Sequence, residues 1–298
     1  MRSLIAAVAC LLAFSGFACA QSDIEFVSYG DIDYRDNNFA GRTVTDWPGH
    51  IQDYRSHGVL ESHNRFLLGD ASHAALPRPY IAFDGSYTSR DVPPENRVLP
   101  GAGVEIRPFA NLQADPSVDW FKYMRFYAQF SGELFLKSED YPWYPRNSAN
   151  VGAELWSQFG GANPALRARH QPWWAELYAG SAYYTTNFDL KYGSKGGVHA
   201  GTNIKYGTFI DDVRSRIMPY GVVDANYDTQ SDCWQNRVYA GPGIRWELPR
   251  ISDSRVWVYA EQRWIVCYPR DKARSCDHVL GSDAWIGLAY EHNLYLNY

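Results

Sequence analysis

Once its first twenty residues are set aside, the sequence has no apolar run long enough to cross a membrane as a helix. Such a helix needs about 20 consecutive, mostly apolar residues. Positive charge is not in excess either, because 33 Asp and Glu outnumber 28 Lys and Arg and give a net charge of -5. Since nucleic-acid-binding proteins present a basic surface, we expect no nucleic-acid partner.

Motifs of catalysis and of metal binding are also missing. No Gly-x-Ser-x-Gly elbow occurs, and no Ser–His pairing marks a nucleophile with its base. The eight histidines are scattered, without the spacing of a zinc ligand set. We therefore predict no catalytic residue, no metal site and no cofactor.

Residues 1–20 have the order of a secretory signal peptide. Arg2 supplies a positive start, an apolar run follows to Phe17, and Ala18-Cys19-Ala20 is a small-residue cleavage site. We expect cleavage near Ala20. Acylation of Cys19, as in a lipoprotein, is the alternative, and the bulky Phe17 close before that cysteine disfavours it.

Aromatic residues are abundant, with 22 Tyr, 14 Phe and 11 Trp. A membrane barrel uses such residues as belts at its two interfaces. From Arg78 onward apolar and polar residues alternate with a period of two, most clearly from Ile286 to Tyr298. Alternation alone also fits a secreted β-sandwich. The aromatic Tyr298 favours the barrel, because outer-membrane barrels resemble one another in an aromatic last strand that the barrel-assembly machinery reads.

The predicted fold class is an all-β, antiparallel transmembrane barrel over residues 78–298, located in the outer membrane. Residues 21–77 lack regular alternation and read as an irregular periplasmic or plug-like lead segment, although a hairpin there would raise the strand number from ten to twelve. An even number places both chain ends on the periplasmic side. The predicted strands are 78–88, 98–109, 120–136, 149–158, 172–185, 197–209, 216–227, 236–248, 254–266 and 282–298.

The polar face of these strands is charged, and we expect it to line the barrel interior. One interpretation is an ion-pair network that fills the interior, because isolated charges are not buried unpaired. The other is a hydrated path for a polar solute. Barrels of about eight strands are filled by side chains and those of about sixteen hold water, so ten to twelve strands favour the network. The expected lining residues are Glu105, Arg107, Arg125, Glu133, Glu154, Glu176, Lys205, Asp224, Arg237, Arg245, Glu247, Glu261, Arg263 and Glu291.

Three cysteines follow the leader. Cys267 and Cys276 lie in one predicted outer loop, where an oxidising exterior permits a disulfide between them. Cys233 is a competing partner in the adjacent outer loop. The alternative to a disulfide is a metal site at Cys276 and His278, but the spacing matches no zinc pattern.

The chain from about residue 98 resembles the C-terminal barrel domain of the bacteriophage N-four adsorption protein A family. The resemblance is carried, in order along the chain, by Gly101-Ala-Gly-Val-Glu-Ile-Arg-Pro108, Pro172-Trp-Trp-Ala-Glu-Leu-Tyr-Ala-Gly180, Asp224-Ala-Asn-Tyr227 and Gly241-Pro-Gly-Ile-Arg-Trp246. It implies an outer-membrane barrel tied to export of surface polysaccharide, which a phage uses as a receptor component. In that family a long periplasmic helical-repeat region precedes the barrel. Residues 21–77 are too few for such an array, so we expect the repeats on a separate protein.

The expected function is therefore export or assembly of cell-surface polysaccharide. The expected partners are outer-membrane lipid, the barrel-assembly machinery, the polysaccharide and the separate repeat protein. Two alternatives belong to other classes: an outer-membrane enzyme that acts on lipid or glycan, and a structural or adhesive barrel.

Overall fold

A computed structural model describes residues 24–40, 56–69, 74–89, 96–110, 124–132, 134–136, 147–160, 172–185, 197–210, 217–229, 236–249, 254–267 and 280–292. Within these ranges, no helix is long and apolar enough to span a membrane. The strands are β1 (Ile24–Ala40), β2 (Ser56–Leu68), β3 (Arg78–Thr88), β4 (Arg97–Ile106), β5 (Arg125–Gly132), β6 (Leu134–Phe135), β7 (Asn147–Gly160), β8 (Trp173–Thr185), β9 (Gly197–Thr208), β10 (Ile217–Asp228), β11 (Arg237–Glu247), β12 (Ser254–Cys267) and β13 (Leu280–His292).

The strands form one closed antiparallel sheet. Each pairs with its neighbours along the chain, β1 pairs with β13, and the β3–β4 pairing completes the ring. The short β6 continues β5 beyond Glu133, since both pair with β4. The wall therefore has twelve strands.

The ten predicted strands are confirmed, with bounds that mostly agree within three residues over the part of the chain described. The irregular lead segment is wrong for residues 24–40 and 56–68, which form β1 and β2 and complete the wall. The alternative of a hairpin there, giving twelve strands, is the one the structure has. The period was obscured because the outward face of this hairpin carries Ser28, Gly30, Ser62 and Asn64 among its apolar residues.

The barrel is apolar outside and charged inside. Exposed residues such as Phe130, Val151 and Ile286 cover the outer wall. Exposed aromatics stand near both ends of the strands: Trp173, Tyr206 and Trp246 near the end where β1 begins, and Tyr34, Tyr227 and Trp264 near the other. An apolar band between two aromatic belts fits a bilayer, so the protein is a transmembrane β-barrel of the outer-membrane type.

Several predictions from the sequence fall outside the described residues. These are the signal peptide with its cleavage near Ala20, the inward position of Glu133, and the assembly signal at Tyr298. Cys267 ends β12, but Cys233 and Cys276 are not among the described residues, so the disulfide stays a prediction.

Candidate functional site in the barrel interior

The inward face carries the charged residues that the alternation placed there. Apart from Glu133, every predicted lining residue within the strands lies on the inward face, as the pairing registers show. Arg107, one position beyond β4, is buried against the inward Glu25 and Glu105. Sequence reasoning missed other inward charges. Most of them lie on β1 and β2, which were predicted to be irregular, and the rest lie on β3, β12 and β13, at positions to which no inward charge was assigned. They include Glu25, Asp31, Asp33, Arg35, Glu61, Arg65, Arg78, Asp84, Arg255 and Asp283.

A continuous chain of ion pairs fills one side of the interior near the end where β1 begins. Glu25 accepts from Arg78 at 2.5 Å and from Arg107 at 3.3 Å. Arg107 also donates to Glu105 at 2.8 Å, and Glu105 accepts from Arg125 at 3.1 Å. All five side chains are buried.

The same series of ion pairs then crosses the lumen of the barrel. Arg125 on β5 donates to Glu154 on β7 at 2.6 Å. Arg65 on β2 lies 3.7 Å from Glu105 and 3.9 Å from Glu154. Strands β2 and β7 are four steps apart around the ring of twelve, so these groups meet through the lumen and not along the wall.

A second group fills the other side of the same end. Arg245 forms a two-pronged pair with Glu176, at 2.7 and 2.9 Å, and its guanidinium lies 4.0 Å from the ring centre of Trp174. Arg255 lies between Glu247 and Glu291, at 3.3 and 3.5 Å. We call these two groups together the buried half of the interior.

A third group lies at mid-height. Buried Glu261 accepts from Lys205 at 2.9 Å and from the Tyr220 hydroxyl at 2.5 Å, and it pairs with Arg263. Arg263 also reaches Asp224 at 3.4 Å. This group balances its charges like the buried half does, but Lys205 and Asp224 keep about a fifth of their side-chain surface accessible.

Some inward charged side chains on β2 and β3 are accessible. Glu61 and His63 face inward and are 43% and 42% exposed, and Asp84, which His63 contacts at 3.1 Å, is 21% exposed. Arg35 binds Asp33 at 2.8 Å and lies 3.6 Å from Glu61. Charged groups that remain accessible inside a closed wall contact water, so the surroundings of Glu61, His63 and Asp84 are hydrated. We call this part of the interior the accessible half, although other inward residues in it, such as Asn96 and Asp283, are buried.

Aromatic rings run across the barrel between the two halves. The Tyr29 ring stacks on His63 with centres 4.8 Å apart and meets the edge of Trp156 at 5.6 Å. Trp156 in turn lies 4.4 Å from Tyr178. Tyr29 on β1 and Trp156 on β7 stand on nearly opposite walls, so this row bridges the lumen. All four rings remain partly exposed.

Inward glycines make room for the large side chains. A Cβ added to Gly103 would lie 2.6 Å from the Tyr80 ring, and one added to Gly243 would lie 2.6 Å from the Tyr220 ring. The second glycine of Gly101-Ala-Gly103 and of Gly241-Pro-Gly243 therefore has a packing reason, since each lets a tyrosine ring from a neighbouring strand lie against the wall. The tyrosine hydroxyls then reach polar partners, Gln129 for Tyr80 and Glu261 for Tyr220.

One polar patch interrupts the bilayer-facing wall. Ser28 donates to Asn64 at 2.7 Å, and the Tyr290 hydroxyl lies 3.0 Å from Ser62. Next to it, Ser254 Oγ lies 3.0 Å from His292 Nδ1. Sequence reasoning could not find this Ser–His contact, because the two residues lie on different strands and are 38 positions apart.

Comparisons with known proteins find only distant similarity to solved structures. No family model and no curated protein matches the chain. Among solved structures, an outer-membrane channel from Pseudomonas putida F1 has a TM-score of 0.40 at 11% identity, over 92% of this chain and 96% of that one. The β-domain of the Bordetella autotransporter BrkA has a TM-score of 0.34 at 11% identity, over 89% of this chain and 98% of that one. The KdgM porin in complex with disordered oligogalacturonate has a TM-score of 0.33 at 9% identity, also over 89% of this chain and 98% of that one.

Proposed function

We propose that this outer-membrane barrel serves the export or assembly of a cell-surface polysaccharide and that its accessible half is where the glycan binds. The observation that carries the proposal is the row of partly exposed rings, Tyr29, Trp156 and Tyr178, beside hydrated charged side chains. Sugars present apolar C–H faces and a rim of hydroxyls. Aromatic faces stack on the first, and carboxylates and amides bind the second.

The buried half sets a limit on this role. Its paired charges and the ring bridge leave no wide path through the described part of the barrel. The resting protein should therefore conduct poorly in planar bilayers. A polymer would pass only if a partner, such as a separate periplasmic repeat protein, moved these side chains. Without such movement the barrel acts at the surface, where resemblance to the phage N-four family adds a role as a phage-receptor component.

The test is a gene deletion with matched complementation. Deletion should reduce surface polysaccharide while its cytoplasmic synthesis continues. Wild-type protein and the outer-wall variant Trp246→Ala should restore the polysaccharide, because that indole faces the bilayer. The interior variant Trp156→Ala should fail at equal barrel abundance. Unchanged polysaccharide in the deletion strain would contradict the proposal.

A second candidate function rests on a separate observation. On the bilayer-facing wall, the contact of Ser254 with His292 brings a hydroxyl nucleophile within hydrogen-bond distance of a base, an arrangement that suits attack on a lipid ester. Purified barrel in mixed micelles would then release fatty acid, and both Ser254→Ala and His292→Asn would abolish that release. Wild-type rates in both variants would exclude this candidate at that site.

A further inference from the structure

The accessible half has an excess of carboxylates on four neighbouring strands. Asp283, Asp31, Glu61 and Asp84 face inward from β13, β1, β2 and β3, and we call them the acidic arc. Arg35 is engaged by Asp33 as well as by Glu61. The buried half differs, because there arginines and glutamates alternate along the ion-pair chain.

Two buried acceptors in this half lack a donor within the described ranges. Asp283 is 4% exposed, and its Oδ1 has no hydrogen-bond partner there. The same holds for the buried Oδ1 of Asn150, which faces inward from β7 across the lumen. Buried acceptors are stable when they are hydrogen-bonded, so the Oδ1 of Asn150 is suited to a ligand that brings donors. Asp283 already lies beside Arg263, its partner in the strand register, so the accessible Glu61 and Asp84 set the charge preference of this half.

The neighbouring rings add a preference for positive charge. Tyr29 is stacked on His63, which contacts Asp84 of the arc, and Trp156 meets the edge of Tyr29. Carboxylates bind ammonium groups through charge-assisted hydrogen bonds, and aromatic faces attract them through cation–π contacts. An acidic solute in the same space would face like charges.

We propose that the accessible half binds a cationic glycan, one whose sugars carry free amino groups. This rests on the proposed function, which it deepens by naming the charge class of the ligand. The ammonium groups would pair with Glu61 and Asp84, whose side chains are 43% and 21% exposed. The sugar rings would lie against Tyr29 and Trp156.

Calorimetric titration of the folded full-length barrel tests this with three oligosaccharides of equal length, made of glucosamine, N-acetylglucosamine or galacturonic acid. At a pH where the amines are protonated, the glucosamine oligomer should bind at least about tenfold more tightly than the N-acetylated one, since several ion pairs of modest strength add. Salt should weaken only the glucosamine oligomer. The galacturonic acid oligomer should not bind measurably.

Isosteric variants locate the effect. Glu61→Gln should weaken glucosamine binding about fivefold, the effect of one accessible ion pair, and leave N-acetylglucosamine binding unchanged. Glu247→Gln removes the same charge from the buried half and should change neither affinity. Faster gel migration of unboiled samples shows that each variant is folded.

The outcomes separate this inference from the proposed function. Equal or tighter binding of the N-acetylated or the acidic oligomer overturns the cationic class and leaves a glycan-binding barrel. An equal loss of both affinities in Glu61→Gln would mean a structural role for Glu61 and would also overturn it. If none of the three oligomers binds, both proposals fall.

Discussion

The two halves of the interior contain the same types of charged residue, but these residues differ in ion pairing and in exposure. In the buried half, Glu105 contacts Arg107 and Arg125, and each of these arginines contacts a second glutamate, so the side chains form an alternating lattice. In the accessible half, Glu61 keeps 43% of its side chain exposed, and among the described residues its ion pair is with Arg35, at a long 3.6 Å. A charge inside a barrel is therefore not by itself evidence of a pore. Side-chain accessibility and ion pairing distinguish the charged residues that stabilise the barrel from those that can bind a solute.

The largest expected effect comes from breaking the lattice. Arg125→Met removes the closest partner of buried Glu154, at 2.6 Å, and one of the two close partners of buried Glu105, at 3.1 Å. Removing one partner of a buried pair costs about 3–5 kcal/mol, because the remaining charge cannot reach water. Urea unfolding in lipid or detergent measures this loss. The triple change with Glu105→Gln and Glu154→Gln should recover part of it, and a loss below about 1 kcal/mol for Arg125→Met would contradict the lattice.

A smaller effect is expected from filling the space beside a ring. Gly103→Ala places a Cβ 2.5 Å from the Ala128 carbonyl oxygen and 2.6 Å from the ring of buried Tyr80, and overpacking of this kind costs about 1–3 kcal/mol. The matched control is Gly221→Ala, because no heavy atom lies within 4 Å of the position its Cβ would take. Equal unfolding midpoints for the two variants would show that Tyr80 is not packed as described.

The smallest effect belongs to the accessible half. Glu61→Gln should change the free energy of unfolding by less than about 1 kcal/mol, since exposed ion pairs contribute little. The same unfolding experiment compares it with Arg125→Met. A loss as large as that of the buried variant would remove the distinction between the halves.

Much of the wall was predictable from a period of two. That period depends only on the alternation of side chains across a strand, so it located β3 to β13 and the inward face of each. It failed on β1 and β2, where Ser28, Ser62 and Asn64 face the bilayer and break the apolar side of the pattern.

The partners within the site were not predictable. The contact of Arg245 with Glu176 joins residues 69 positions apart, and that of the Tyr259 hydroxyl with Asp33 joins residues 226 apart. Such distances follow from strand number and register, which together set how far side chains reach across the lumen. Alternation fixes the face of a residue and leaves its partner open, so the division into two halves had to come from the structure.

The central claim is that the buried half is closed to water, whereas the interior around Glu61, His63 and Asp84 is open to it. In a background with the native cysteines replaced by serine, Val27→Cys and Glu61→Cys place single thiols inward in the buried and the accessible half, where the native side chains are 2% and 43% exposed. A charged, water-soluble thiol reagent added to the folded barrel should modify the thiol at position 61 rapidly and that at position 27 only when the protein is unfolded. Equal rates at the two positions in the folded protein would contradict the account.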